Sequence, residues 1–255
     1  MGRTEDSTPQ VRRAVSRETS RDASASGEAT SSSPGGTPEG AAIVFGQRLA
    51  LAQRYVELLA GPGIERGLIG PREGPRLWQR HVLNCAVVHE ALPTGCSVAD
   101  VGSGAGLPGV VLAVARPDLH VTLVEPLLRR SRFLEQVAGE LELHNTVVVR
   151  ARAEDLAGQL DVQAVTARAV APLEQLARWT FPLLSTAGRL LALKGASAVD
   201  EVARAAPALR RMGAVSWAVH EFGRGIVDPA TRVAVIEVGP AVREAGLRRR
   251  RKGGR

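Results

Sequence analysis

A glycine-dense turn behind an apolar strand constrains this chain more than any other feature. Residues 98–109 are VADVGSGAGLPG, and five of the eight positions after Val101 are glycine or proline. A helical pattern, GVVLAVA, follows at once. A strand, a glycine turn and a helix in this order are typical of the first unit of an open α/β sheet, which binds its ligand beside the carboxyl ends of the strands.

Short apolar runs alternate with helical patterns from Ser97 onward, and this alternation predicts a parallel sheet with helices on both faces. The last two runs, 214–222 and 232–238, are joined by GRGIVDPAT. That link is too short for a crossover helix, so the pair should form an antiparallel hairpin. We therefore expect a Rossmann-like α/β fold with a mostly parallel seven-stranded sheet. The runs preceding the hairpin are 97–101, 120–125, 145–151, 162–168 and 188–195, and the helical patterns between them include 109–117, 127–143, 153–160 and 172–184.

The composition of the chain changes along its length and predicts four regions. The first forty residues are rich in Ser, Thr, Gly and Pro and have almost nothing apolar to pack, which is typical of disorder. Two helical patterns follow, with apolar residues at intervals of three and four. The regions are a disordered tail (1–40), a helical N-terminal cap (41–95), the α/β core (96–240) and a basic tail (241–255).

The charge of the chain is concentrated at its end. The formal net charge is +7, and the last eight residues, RRRRKGGR, carry six positive charges. The rest is close to neutral, so the basic signal belongs mainly to the tail, which can supplement phosphate binding. Cys85 and Cys96 have neither a CxxC spacing nor a disulfide framework. We expect a cytoplasmic protein with reduced cysteines, no membrane span and no metal.

The glycine turn fits two ligand classes. Residues 104–109 satisfy GxGxxG, and Glu125 lies 21 residues after Gly104, close to the spacing of a ribose-binding acid in a dinucleotide fold. The other alignment places Asp100 before a GxGxG turn. Asp100 would repel a pyrophosphate in a partly desolvated crevice, whereas S-adenosylmethionine (SAM) has a sulfonium and no phosphate. The second alignment, with Asp100 and Gly104 at a SAM site, is favoured.

Acidic residues follow two further strands. Glu125 ends the second strand, where a carboxylate can accept hydrogen bonds from ribose hydroxyls. Glu154 and Asp155 follow the third, where they can meet an adenine edge. Each acid alone could instead cap a helix or lie in solvent, but acids at three successive strand ends favour a nucleoside site.

Several ordered blocks resemble the RsmG family, also called glucose-inhibited division protein B. They are residues 98–136, RHVLNC, VTARAVAPL and LALKG, spread over roughly 41–240. The resemblance implies a class I SAM-dependent methyltransferase that modifies N7 of one guanine in 16S ribosomal RNA, near the decoding centre of the small subunit. It does not by itself identify the guanine, or whether free RNA or the assembled subunit is the substrate.

The resemblance also assigns site residues. The family's cofactor contacts fall on Gly102, Leu107, Ala153, Glu154 and Arg168, and they join Asp100, Gly104 and Glu125 chosen from the residues themselves.

Substrate contacts are expected at Arg80 and His81, which open the helix before the first strand, and at Lys194, which ends the fifth. The structural alternatives are a salt bridge on the helix surface for Arg80 and a partly buried ring for His81, and for Arg80 a substrate contact is favoured. Asn84 stands where the family often has an aspartate. Arginines 129, 130 and 132 follow Glu125 and form either a solvated face or a phosphate contact.

Guanine N7 has a lone pair and no proton, so its methylation needs no general base, and we expect no catalytic proton-transfer residue. Three alternatives stay open: an NAD(P)-dependent oxidoreductase, a SAM-dependent methyltransferase with a non-RNA substrate, and an RNA-binding module without activity. The sequence leaves the oligomeric state open, and a monomer is the expectation.

Overall fold

A seven-stranded sheet forms the centre of the structure, a computed structural model that describes residues 35–240. The strand order is β3-β2-β1-β4-β5-β7-β6. The expectations for residues 1–34 and 241–255 lie outside the described residues. The strands are β1 Ser97–Val101, β2 His120–Val124, β3 Thr146–Val149, β4 Val162–Arg168, β5 Leu184–Lys194, β6 Ala214–Phe222 and β7 Thr231–Val238.

The pairing of the strands confirms the predicted sheet. Val98 of β1 pairs in parallel with Val121 of β2 on one side and with Ala164 of β4 on the other. Strand β7 runs antiparallel to both β5 and β6, so the C-terminal hairpin is present. The chain order reverses between β1 and β4, and open α/β sheets bind ligands at such a switch point.

Helices cover both faces of the sheet, and side chains alternate between two apolar cores. Val98 faces the core that includes α4 and the N-terminal segment, whereas Ala99 faces the core that includes α6 and α7. Across residues 35–240, every helix falls short of the length and apolar character that a membrane span requires. The helices that pack on the sheet are α4 Gly109–Ala115, α5 Leu128–Glu140, α6 Leu173–Thr180 and α7 Ala198–Arg211.

The helix expected over 153–160 is wrong. The structure has only a 3-10 turn, Ala153–Leu156, before β4. Gly158 has a positive φ of 71°, a conformation that ends helical geometry. The 3-10 turn follows β3 closely, so Glu154 lies near the end of that strand.

The N-terminal segment is helical but irregular. The first part continues from α1 (Glu39–Phe45) through a 3-10 turn into α2 (Leu49–Leu58) and a π-helical turn, Leu59–Gly63, which contains Pro62. Pro62 lacks an amide hydrogen and cannot complete an α-helical ladder. The second part runs from Pro71 to Ala91 and changes helix type three times, with α3 at its centre; its pieces are Pro71–Arg76, Leu77–Leu83, Asn84–Ala86 (α3) and Val87–Ala91.

Side-chain hydrogen bonds dock this segment on the sheet and the glycine turn. The Arg48 guanidinium donates to the carbonyl of Val114 at the end of α4, at 2.7 Å. The buried hydroxyl of Tyr55 donates to the carbonyl of Ala105, at 2.8 Å. The α2 helix therefore holds the glycine turn directly.

Candidate functional site

A cleft of about 670 Å³ opens at the carboxyl ends of β1 to β4, and its size is typical of a small-molecule site. One wall consists of the strand ends and the loops after them. Residues 68–70, Glu73 and His81 of the N-terminal segment line the other. Eight of the residues chosen from the sequence lie in this lining: His81, Gly102, Gly104, Leu107, Glu125, Ala153, Glu154 and Arg168.

Three glycines of the turn have positive φ angles, which residues with a Cβ adopt only with strain. They are Gly102 at 70°, Gly104 at 58° and Gly106 at 101°. A Cβ on Gly102 would lie 2.8 Å from the side chain of Val170, and one on Gly106 would lie 2.5 Å from that of Val110. At Gly104 the nearest atom is a backbone oxygen 3.8 Å away. Gly104 therefore faces open space, whereas Gly102 and Gly106 face protein side chains.

Six backbone amides of the glycine turn, residues 102–109, donate to acceptors within the protein. A dinucleotide site instead presents a row of free amides to the pyrophosphate. This turn therefore does not offer the amide row that a diphosphate requires. The donors and acceptors are Gly102 and Ser103 to the carbonyl of Val124, Gly104 to Glu125, Gly106 and Leu107 to the carbonyl of Ser103, and Gly109 to Asp100.

Glu125 is buried at the end of β2 and is held by two backbone amides. Its Oε2 accepts from Gly104 and its Oε1 from Leu127, each at 3.0 Å. The Arg130 guanidinium lies 3.9 Å from Oε2. A carboxylate has about four acceptor positions, so Glu125 retains acceptors for ligand hydroxyls.

Asp100 lies beneath the glycine turn and is not part of the cleft lining. It shares the sheet face of Val98 and points toward the start of α4. Its carboxylate accepts the amide hydrogen of Gly109, at 3.0 Å, and the hydroxyl of Thr166, at 2.9 Å. Burial raises the pKa of Asp100 to about 6, although these two hydrogen bonds oppose the rise. We expected Asp100 to contact the ligand directly. The structure instead places it outside the cleft lining, where it shapes the turn.

A hydrogen-bonded row joins the two walls of the cleft. The Arg168 guanidinium donates to Nδ1 of His81, and His81 Nε2 lies 2.7 Å from Oε2 of Glu73. Burial and the charge of Arg168 lower the pKa of His81, while Glu73 opposes this shift. The neutral ring with its hydrogen on Nε2 satisfies both neighbours, since Nδ1 must accept and Nε2 must donate.

Glu73 is the member of this row that sequence reasoning missed. It follows no strand and belongs to no motif, and only the packing of residues 71–91 brings it to the cleft. Its Oε1 lies 3.2 Å from Arg80, whose side chain is largely exposed. Arg80 itself is outside the lining and reaches the site only through Glu73.

Lys194 and Asn84 do not line this cleft. Lys194 lies in a neighbouring cleft, where its ammonium contacts Glu201 at 2.8 Å and the carbonyl of Ala171 at 3.1 Å. It therefore fastens the loop after β4 and does not join the first cleft. Asn84 donates to the Thr231 hydroxyl at 2.8 Å and so anchors the start of β7.

The described cleft residues do not resemble a metal site. Within residues 35–240, no group of three or more His, Cys, Asp or Glu side chains is arranged to hold a metal ion. Of the polar side chains that line the cleft, Glu73, His81 and Arg168 bond to one another, and Glu125 accepts from backbone amides.

Comparison with solved structures supports the fold. A proposed S-adenosyl-L-methionine-dependent methyltransferase from Methanococcus maripaludis superimposes with a TM-score of 0.50 at 12% identity, over 75% of this chain and 93% of that one. At such low identity the similarity concerns the fold alone.

Comparison of sequences identifies the family. The family model described as "rRNA small subunit methyltransferase G" matches residues 48–228, a span that includes both walls of the cleft. The Ribosomal RNA small subunit methyltransferase G of Streptomyces avermitilis is 56% identical over 203 residues, covering 79% of this chain and 85% of its own length. That of Salinispora tropica is 54% identical over 228 residues, covering 82% and 93%. The chain belongs to the rRNA small subunit methyltransferase G family.

Proposed function

We propose that this protein transfers a methyl group from SAM to N7 of one guanine in the 16S RNA of the small ribosomal subunit, near the decoding centre. The observation that carries the proposal is that the family match includes every residue of the cleft, from Leu68 to Trp179. A ribosomal substrate places the protein in the cytoplasm.

The cleft suits the proposed cofactor in its donor and acceptor chemistry. The spare acceptors of Glu125 fit ribose hydroxyls, and the apolar side chains of Leu107, Leu127 and Ala153 fit a purine face. Glu154, which also lines the cleft, fits the adenine amine. Gly104 leaves open space for the close approach of a ligand. Asp100 contributes indirectly by holding the turn.

The chemistry of the acceptor defines what the residues must do. When bound, SAM supplies an electrophilic methyl group on a sulfonium. Guanine N7 has an in-plane lone pair and lies on the major-groove edge of the base. No proton is removed, so the site must align the base with the methyl group and exclude water. Such positioning lowers the barrier by roughly several kcal/mol.

An oxidoreductase is disfavoured by the glycine turn. Six of its amides already have acceptors, and the buried Glu125 carboxylate lies where a pyrophosphate would approach the turn. A SAM enzyme with another substrate shares the same cofactor cleft, so the product must separate that alternative from the proposal.

A nucleotide-resolution map of N7-methylguanine tests the proposal. Small subunits from cells lacking this protein should miss one N7-methylguanine in 16S RNA. Purified protein with labelled SAM should restore it at the same nucleotide. An unchanged map, with transfer of label to some other molecule, would contradict the RNA substrate.

A pair of glycine variants tests the cofactor site. Gly104→Ala and Gly95→Ala both place a Cβ at a positive φ with no close contact to protein, so both carry similar backbone strain. Gly104 lines the cleft, whereas Gly95 precedes β1 at the other end of the strand. Calorimetry should show at least tenfold weaker SAM binding for Gly104→Ala and normal binding for Gly95→Ala. Equal affinities for the two variants would contradict the placement.

A further inference from the structure

The wall of the cleft formed by the N-terminal segment presents one carboxylate whose two oxygens are both fixed. Oε2 of Glu73 is held by His81 at 2.7 Å, and Oε1 by Arg80 at 3.2 Å. The side chain is 22% exposed and lines the cleft. The hydrogen bond from His81 lowers the pKa of Glu73, so the group is ionised at neutral pH. Both oxygens keep a free acceptor position.

The charges around Glu73 limit what it can accept. Arg80 already offsets its charge, and Arg168 lies beyond one imidazole ring. An ammonium group on a ligand would add a further cation beside these two guanidinium groups. A neutral edge with two parallel N–H donors meets no such repulsion and matches two oxygens held in one plane.

Guanine is the RNA base that offers such an edge. Its N1–H and 2-amino group lie side by side, whereas adenine presents an acceptor at N1, and uracil and cytosine each present a single donor group. Proteins that recognise unpaired RNA bases commonly bond to this Watson–Crick edge.

We propose that Glu73 recognises the target guanine by accepting hydrogen bonds from N1–H and the 2-amino group. The inference rests on the proposed function and adds the residue that selects the base. The opposite edge of the purine, which carries N7, then points away from Glu73 toward the strand ends.

The same contact favours the reaction itself. As the N7–carbon bond forms and the carbon–sulfur bond breaks, positive charge moves from sulfur to the purine, and no proton leaves. A cationic purine is a stronger N1–H donor, so its bond to a carboxylate strengthens in the transition state. An interaction that strengthens there raises kcat as well as substrate affinity.

The test combines a protein change with a base change. Small subunits are reconstituted on 16S RNA that carries either guanosine or inosine at the nucleotide identified by the methylation map. Inosine keeps N7 and N1–H but lacks the 2-amino group. We expect the wild-type protein to lose about tenfold to a hundredfold in kcat/KM on inosine subunits, the range for the loss of one hydrogen bond to a charged group.

Glu73→Gln completes the cycle. Its amide oxygen still accepts from His81, and we expect unchanged thermal unfolding. On guanosine subunits it should lose a similar factor, visible in kcat as well as KM, and replacing guanosine by inosine should then cost it less than it costs the wild type. SAM affinity should stay within twofold of wild type. Glu90→Gln, an exposed change at the end of the same segment, is the matched control.

Two results would overturn the role of Glu73, and a third would overturn the proposed function. Equal wild-type rates on both kinds of subunit would overturn the role of Glu73 alone. So would a loss of SAM affinity in Glu73→Gln that accounts for its whole loss of kcat/KM. If the wild-type protein produces no N7-methylguanine on guanosine subunits, the proposed function fails, and this inference fails with it.

Discussion

The carboxylate of Asp100 is completely enclosed beneath the glycine turn and bonds to Gly109 and Thr166. A buried carboxyl with a raised pKa destabilises the fold once it ionises, because the folded state binds the proton more tightly than the unfolded state does. The contribution of Asp100 to stability is therefore fully present below its unfolded pKa near 4. It is lost as the pH rises through about 6.

Asp100→Asn should remove this dependence. The asparagine can accept from Gly109 through its oxygen and donate to the Thr166 hydroxyl through its amide. Relative to the wild type, the variant should gain on the order of 3 kcal/mol in unfolding free energy between pH 4 and pH 7, at about 1.4 kcal/mol per unit of pKa shift. Urea unfolding across this pH range measures the difference.

Asp118 supplies the control of opposite sign. Its hydrogen bonds with Arg116 lower its pKa, so its contribution is present above the unfolded pKa and is lost as the pH falls. Asp118→Asn should therefore be less stable than the wild type at pH 7, with the difference shrinking in acid. Parallel pH profiles for the two variants would contradict the account of Asp100.

For individual residues, the sequence predicted side chains at the strand ends but did not predict all those that the N-terminal segment brings to the cleft. Glu125 and Glu154 could be predicted because the carboxyl ends of parallel strands converge. Alternation along β1 could not say which sheet face the cleft adjoins, so the orientation of Asp100 was missed. Glu73 depends on the packing of a segment that contains no motif. Lys194 ends its strand as predicted, yet Glu201 draws it to a neighbouring cleft.

Among the secondary-structure elements, the α2 helix supports the glycine turn through a single hydrogen bond. The Tyr55 hydroxyl is fully buried and contacts the carbonyl of Ala105. Tyr55 also limits the room above Gly106, where an added Cβ would lie 2.9 Å from the hydroxyl oxygen. The helix therefore fixes the turn from the side opposite the sheet.

Tyr55→Phe should loosen the turn. A buried carbonyl without its donor costs about 1–3 kcal/mol, and part of that cost should appear as weaker SAM binding. Asn145→Ala is the comparison, because its amide bonds to the carbonyls of Ala113 and Arg116 at the amino ends of the strands, away from the cleft. Both variants should lower the unfolding free energy measured in urea. Calorimetry should show reduced SAM affinity for Tyr55→Phe alone, and equal affinities would mean that α2 only supports the fold.

Most elements were predictable because apolar periodicity follows burial. Every strand appears where an apolar run predicted it, since the central strands are covered on both faces. The failure at 153–160 came from a pattern too short to outweigh Gly158. The changes of helix type in the N-terminal segment follow prolines and tertiary packing, which periodicity does not encode.

Across the whole molecule, the net positive charge is concentrated in the C-terminal residues, and the remainder of the chain is close to neutral. Residues 248–255 carry six positive charges and lie outside the described residues. Charges of this kind bind RNA by releasing counterions, which makes affinity depend on salt.

Deleting residues 248–255 should weaken RNA binding most strongly at low salt. The slope of log K against log salt should become shallower, by about 0.7 for each phosphate that the tail neutralises. Filter binding of 16S RNA over a salt series measures the slope, and unchanged SAM affinity is the internal control. A slope identical to that of the full chain would show that the tail does not bind phosphate.

The inward hydrogen bonding of the glycine turn also bears on competition within the cell. ATP and ADP share their adenosine portion with the proposed methyl donor and are abundant metabolites. Their phosphates would lose water beside a turn in which six amides already have acceptors, with the Glu125 carboxylate close by. We therefore expect adenine nucleotides to be poor inhibitors, because the glycine turn offers their phosphates few free amides even though the cleft has room for them.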